Sequence, residues 1–517
     1  MTRRRTSRLS ALALAGALSA GAGSVIAYPP FAGAAQPERM TLAELAERRA
    51  RAQELGDRAI AAFAQGDYQR AEELLLDQLE LDPNNFVPMY NLSVARAQQG
   101  DLDEATDFLA NAIEHGFTDF RQLETDPHMA AVRGTEFYRR LSANWAEVLD
   151  ARGEAHFERI RRDYARGYLH DRDERVRVSF AVAVDETTYR TVRAELDLLT
   201  AWALEHVFRD LREPAMGATD PWAVVIVPSE RDFREWAIGM YGPSAVLSDF
   251  HRVGGSYSHD RKELVAMDLG GTLRHEFMHL LHWRSNSRAG QVHPIWIQEG
   301  VCSLAEDFDV RGGRLEITPN WRTNMVKRLA EARRLPPLDR LARMSRGDFA
   351  GSRPLANYAH ARALFLYLDS IGKLGDWYAH YVERYEEDPS GLESISTVLG
   401  KPIDAIDADF QAWLLALPEV AEARSDGTIS GLTASLGVQL DPGTGDGPIV
   451  QRIMSRSTRN AGVRTRDVVT AIDGRPTRDM NEFVRVLGEY APGQTVTVSL
   501  RRRTRHETIE VVLQPLR

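Results

Sequence analysis

The stretch His275-Glu276-Phe277-Met278-His279 decides how this chain is read. On a helix four residues turn by about 400°, so the side chains of His275 and His279 project about 40° apart and can meet one ion. Glu276 is rotated by about 100° from His275, which sets it beside such an ion and not on it. Two imidazoles with a flanking carboxylate suit a metal centre whose general base acts on water. Thr272, after the flexible Gly270-Gly271, is expected to cap the helix, while Leu273, Phe277, Leu280 and Leu281 form its apolar face. An amphipathic helix without chemistry could show the same face, so the assignment turns on a third ligand.

A catalytic zinc site takes three protein ligands and leaves one position open. In the extended pattern with a third His, that ligand would fall at position 285, which is Ser285. Downstream lies Trp296-Ile297-Gln298-Glu299-Gly300, with Glu299 20 residues after His279. On these residues the sequence resembles the gluzincins, specifically the peptidase MA-like metallopeptidases, whose second active-site helix carries W-x-x-E-G. The resemblance implies a zincin-like α+β domain that hydrolyses peptide bonds. Zn²⁺ would be held by His275, His279 and Glu299, and Glu276 would take the proton of the attacking water. Gly300, lacking a Cβ, fits close packing of helices around the ion.

The likeness extends over about residues 175–418. A strand at 223–227, then Gly254-Gly255-Ser256-Tyr257, then a strand at 263–269 follow the family's order before HExxH. The segment 263–269 matches the family's edge strand, which pairs with bound peptide. Tyr358, within Asn357-Tyr358-Ala359-His360-Ala361, matches a Tyr that supports the oxyanion; a half-buried structural Tyr is the alternative, and both stay open. Asp409-Phe410-Gln411-Ala412-Trp413 matches the end of the domain. Two departures stand out. Ser303 replaces the acidic residue often found four positions after the ligand Glu, which implies a different support for the His ligands. The Gly-x-Met-Glu-Asn motif of the related aminopeptidases is absent, which favours endopeptidase action. His282 reads as structural. Cys302 reads as a packing residue, with a thiol open to oxidants as the alternative.

The flanks resemble interaction modules. Gly66-Asp67-Tyr68 recurs 34 residues later as Gly100-Asp101-Leu102, with Ala71/Ala105 and Leu75/Leu109 on the same offset. That period is the tetratricopeptide (TPR) signature, so residues 41–141 are expected to form TPR-like hairpins, with 117–141 a degenerate pair. They would serve as a groove for a protein partner or as a structural cap. Residues 142–174 read as a charged helical connector and 419–430 as a linker. Leu436-Gly437-Val438, then Ala461-Gly462-Val463 and Asp467-Val468-Val469 through Ile472-Asp473-Gly474, resemble the PDZ domains of bacterial proteases over 431–517. This implies a β-sandwich or barrel-like fold in which the Leu436, Gly437 and Val438 backbone receives a C-terminal peptide and a helix near 481–488 forms the other wall. Arg466 stands where Gly is usual, which implies an altered turn.

Composition bounds the rest. The chain has 517 residues, 43% hydrophobic and 27% charged, with net charge −10. These values suit a folded multidomain protein and exclude a general nucleic-acid binder, which needs a basic footprint. A single cysteine excludes an intrachain disulfide. Arg3, Arg4, Arg5 and Arg8 precede an Ala/Leu/Gly-rich stretch, so residues 1–27 read as a signal peptide, with an uncleaved anchor as the alternative. No later window is apolar enough to span a membrane. The expectation is an exported, periplasmic or secreted, multidomain α+β zinc peptidase acting on peptides or proteins. A catalytically inactive peptide-binding scaffold with a degenerate protease core is the competing expectation. The intact His275, Glu276, His279 and Glu299 argue against it.

Overall fold

The computed structural model describes residues 42–516 apart from 214, 242–253, 259–260, 352, 425–427 and 444. The expected signal peptide lies outside the described residues. The chain divides into two compact units. The first consists chiefly of the residues up to Arg159, and the second holds 160–233, 253–258 and everything from Glu263 onward.

The first unit is helical. Helices Leu42–Ala64 and Tyr68–Leu81 pair, as do Phe86–Gln98 and Leu102–Glu114. The repeated Gly-Asp explains both hairpins. Gly66 and Gly100 take φ of 72° and 83°, the left-handed region that glycine adopts without a Cβ penalty. Asp67 and Asp101 then cap the next helix by accepting from the backbone N–H of Arg70 and Glu104, at 3.0 and 3.2 Å. Ala71 and Ala105 are fully buried. The third pair is reduced to short helices, Phe120–Thr125, Ala130–Arg133 and Glu136–Ala143.

The second unit begins with a mixed sheet of β1 (Leu169–Asp173), β2 (Val178–Val182), β3 (Trp222–Ile226), β4 (Gly255–Ser258) and β5 (Glu263–Ala266), in the order β1-β2-β3-β5-β4. β2, β3 and β5 run parallel, while β1 and β4 are antiparallel to their neighbours. The sheet thus starts inside the expected connector. In β2, Val178, Phe180 and Val182 alternate with Ser179 and Ala181 in size and not in exposure, since all five are buried. The expected edge strand needs correcting. β5 lies between β3 and β4, and among the described residues Gly255–Ser258 is the edge strand on that side of the sheet.

After β5 comes the helix Gly271–Ala289. Its N-cap is Gly270, without a side-chain cap, and Thr272 sits within the first turn instead of capping it. Helix Ile295–Cys302, a 3₁₀ turn Ser303–Glu306, the hairpin of β6 (Phe308–Arg311) with β7 (Arg314–Ile317), and helix Pro354–Ser370 follow. Trp222, Trp296, Phe365 and Trp377 lie in the continuous core beneath them.

The C-terminal region is β-rich. Strands Val438–Asp441, Ile449–Ile453, Val468–Ile472, Thr495–Arg502 and Arg505–Val512 are neighbours in that order, all antiparallel. They close over Val450, Val469, Phe483, Val486 and Val498. Arg466 precedes Asp467 in this turn. That residue takes φ 72° and its N–H donates to Val450 O at 2.7 Å, a conformation that costs a non-glycine residue about 1–2 kcal/mol. Among the described residues no helix is long and apolar enough to cross a membrane.

Candidate metal centre

Helix geometry brings the two imidazoles together, and the next helix supplies a carboxylate. His275 Nε2 and His279 Nε2 are 3.0 Å apart. Glu299 Oε2 lies 3.2 Å from the first and 3.5 Å from the second. In a tetrahedron with metal–ligand distances of about 2.0–2.1 Å, donor–donor edges are about 3.3 Å. The three donors therefore match three corners of such a polyhedron, and among the described residues they are the group with metal-ligating spacing. All three side chains are almost wholly buried. The histidines hold the Glu299 carboxyl well below the usual carboxylate range, against the opposing effect of burial.

Glu276 is also buried and stands outside this trio. Burial pushes its carboxyl above the ordinary value, which suits a base that must accept and release a proton. Gly255 of β4 lets the strand approach here, since a Cβ would stand 3.2 Å from Glu276 Cγ. On the same strand, the Tyr257 ring stacks on His279 with centroids 4.8 Å apart. Tyr358 packs on Phe349 at 5.1 Å. Burial and then the charge of Glu299 push its phenol above the ordinary range. Arg346 Nη2 donates to Gln298 Oε1 at 3.4 Å, one residue before Glu299.

The histidines are supported from behind, and two of the supporting residues, Glu306 and Arg322, were not singled out by the sequence pattern. Glu306 Oε1 lies 3.2 Å from His275 Nδ1, and Arg322 grips Glu306 in a fork, Nε to Oε2 at 2.6 Å and Nη2 to Oε1 at 3.1 Å. Ser303 Oγ is 3.5 Å from the same His275 nitrogen. The carboxylate missing at position 303 is thus provided three residues later, through the 3₁₀ turn. Cys302 Sγ sits 3.2 Å from His279 Nδ1. Burial and then the neighbouring carboxylates raise its thiol well above the usual range, which opposes the thiolate that oxidant chemistry requires. His282 Nε2 engages His293 Nδ1 at 2.9 Å instead of joining the trio. Gly300 is needed against a third helix, because a Cβ there would stand 2.6 Å from the Phe365 ring and 2.9 Å from Ala361 Cβ. Trp296 stacks on that same ring at 5.2 Å.

At the expected peptide loop, Gly437 takes φ 69° with Ser455 Cβ 2.4 Å from where its own Cβ would be. Its carbonyl accepts from Met454 and Ser455 N–H, at 2.8 and 3.0 Å. Its N–H donates to Ser435 Oγ at 2.9 Å. Leu436 is buried in the β-rich core, and Val438 packs partly exposed against it.

Comparison with known proteins gives two family matches. A family model described as PDZ domain matches residues 434–513, and one described as Tetratricopeptide repeat matches residues 62–133. The chain therefore carries a TPR region, an α+β middle and a PDZ-containing C-terminal region, and TPR and PDZ modules typically bind proteins or peptides. A protein named "Probable periplasmic serine endoprotease DegP-like" from Rhizobium meliloti (strain 1021) is 33% identical over 103 residues, 18% of this chain and 20% of that protein. The chain thus spans about a fifth of the length of this curated relative. Among solved structures, an HtrA-type protease AlgW with decapeptide is 14% identical over 22% of this chain and 35% of its own, with TM-score 0.15. The serine endoprotease from Yersinia pestis is 16% identical over 22% and 36%, with TM-score 0.15. An aminopeptidase N family protein from Idiomarina loihiensis is 16% identical over 68% and 67%, with TM-score 0.27.

Proposed function

We propose that this chain is an exported zinc-dependent peptidase of gluzincin type, with its TPR and PDZ modules binding substrate or partner proteins. The observation that carries the reading is the trio of buried donors spaced 3.0 to 3.5 Å apart. Their chemistry, two imidazoles and one carboxylate, is that of a His₂Glu catalytic zinc site. Held by His275, His279 and Glu299, Zn²⁺ would supply Lewis acidity, making water acidic at about pH 7 and polarising a carbonyl.

The remaining work falls to the chain's own residues. Glu276, beside the trio, takes the proton of the water that attacks the peptide carbonyl and delivers it to the leaving amine. Tyr358 donates to the oxyanion as charge develops there. Glu306 and Cys302 accept from the Nδ1–H of His275 and His279, which keeps both Nε2 atoms free of protons and directed inward. Export agrees with the word periplasmic in the name of the Rhizobium meliloti relative. The word serine in that name comes with only a fifth of the relative's length, and no nucleophile is assigned from it.

The test is metal analysis of the purified chain together with casein cleavage with and without a chelator, in the parent and in Glu276→Gln. One zinc per chain, with cleavage lost on chelation and in Glu276→Gln, is the expected result. Bound zinc with no cleavage of any peptide library would favour the scaffold, and chelator-resistant cleavage blocked by a serine-directed reagent would favour a serine-type enzyme.

A further inference from the structure

The helix that carries both histidines begins against the PDZ domain. Leu269 N–H donates to Gly445 O at 2.7 Å. A Cβ on Gly270, the N-cap, would stand 2.6 Å from Arg478 Cβ. The next contact is ionic and closed to solvent. Arg274, directly before His275, is 1% exposed. Its Nη2 donates to Glu482 Oε1 at 3.1 Å and to the Glu306 carbonyl at 2.8 Å, and its Nη1 lies 3.4 Å from Glu195 Oε2. Glu482 is on the PDZ helix Met480–Leu487, the expected wall of the peptide groove, and is also 1% exposed. Its second oxygen accepts from Arg478 N–H at 2.7 Å. Arg478 in turn binds Glu195 at 2.7 Å and Asp446 at 2.8 Å.

We propose that Glu482 of the PDZ domain is a positioning residue for the metal centre, acting through Arg274 on His275 and on the Glu306 that supports it. The inference rests on the reading of the trio as a metal site. Its physical basis is the cost of an unpaired buried charge. Arg274 is solvated by nothing except its partners, so it stays where Glu482 and Glu195 hold it. Arg274 fixes the first turn of the histidine helix and the carbonyl of Glu306, and the Glu306 side chain orients His275. The PDZ domain is thereby a fixed structural half of the site and not a tethered accessory.

The test uses the full-length chain loaded with Co²⁺, whose visible absorption reports ligand geometry, and Zn²⁺ competition against a chromophoric chelator. Glu482→Gln removes the charge with little change of shape. Arg475→Met breaks a different contact between the same two domains, Arg475 with Asp309 at 2.8 Å, and leaves Asp309 paired with Arg485 at 3.1 Å. With folding verified by circular dichroism, Glu482→Gln is expected to weaken metal binding about tenfold and to shift the Co²⁺ bands, while Arg475→Met matches the parent. Should Glu482→Gln fail to fold, Glu482→Asp, which keeps the charge but shortens its reach, is expected to show the same changes. Parent-like affinity and spectrum in the Glu482 variant overturn the proposal, as does equal weakening in both variants, which would mark general loosening of the interface. A parent chain that binds no metal overturns the reading of the site instead.

Discussion

Glu306 stands 3.2 Å from the outward nitrogen of His275, seven residues beyond Glu299 and past the end of its helix. A carboxylate at that nitrogen fixes the tautomer of a ligating His and raises its basicity. Glu306→Ala is therefore expected to lower zinc affinity by about 10–100-fold with the fold retained, as read by competition with a chelator. Unchanged affinity would remove Glu306 from the account.

Glu276 is expected to matter for turnover and not for metal. Loss of a general base costs typically about 10²–10⁴-fold in rate. Glu276→Gln should lose that much in kcat while metal analysis still finds the parent's zinc content. A variant that loses zinc in parallel would mean that Glu276 is a ligand.

Gly300 tests the packing behind the trio. A methyl group there would overlap the Phe365 ring, 2.6 Å away, and overpacking of this kind costs about 1–3 kcal/mol. Gly300→Ala should lower the Tm of the second unit by several degrees, and shortening the obstacle with Phe365→Leu in the same chain should recover part of the loss. No change in Tm would mean that the two helices have room to spare.

The buried histidines set a pH dependence of stability. Burial lowers His360 to about 3 and His293 to about 3, while an unfolded His titrates near 6.5. Both are neutral in the fold and take a proton when unfolded, so their contribution is complete above about pH 6.5 and is lost as pH falls toward 3. The slope is up to about 1.4 kcal/mol per pH unit for each imidazole. His360 Nε2 has no hydrogen-bond partner among the described residues, and its ring stacks on Phe410 at 5.8 Å. His360→Phe should flatten the dependence of the urea midpoint between pH 7 and pH 5. An equally steep dependence in that variant would place the effect elsewhere.

What could be read from sequence follows the range of the interactions involved. His275 and His279 share a helix face by periodicity, so four residues of local pattern suffice to bring them together. The Gly-Asp repeats of the first unit are equally local, since a left-handed glycine and an Asp cap act within three residues. Glu299 is separated from His279 by a loop, and Trp296 and Gly300 beside it mark it in the sequence. Gly300 itself turned out to face Phe365 and Ala361 of a later helix, a contact that no spacing encodes. Glu306 reaches His275 through a single short 3₁₀ turn, Ser303–Glu306, whose place in the chain no sequence pattern marks. Strand order is likewise not a local property: 263–269 matches an edge strand in sequence, although β4, earlier in the chain, lies outside it. The pairing of Arg274 with Glu482 joins residues 208 positions apart, and neither residue carries a motif. Arg466 is a further case, since its left-handed backbone, φ 72°, is one that its residue type disfavours and so does not announce.

Whether His275, His279 and Glu299 hold zinc is read directly by anomalous diffraction at the zinc edge from crystals of the full-length chain grown with Zn²⁺. One peak per chain is expected at about 2.0–2.2 Å from His275 Nε2, His279 Nε2 and a Glu299 carboxylate oxygen. Crystals showing no density among these three side chains, or Glu299 turned away from both rings, would contradict it.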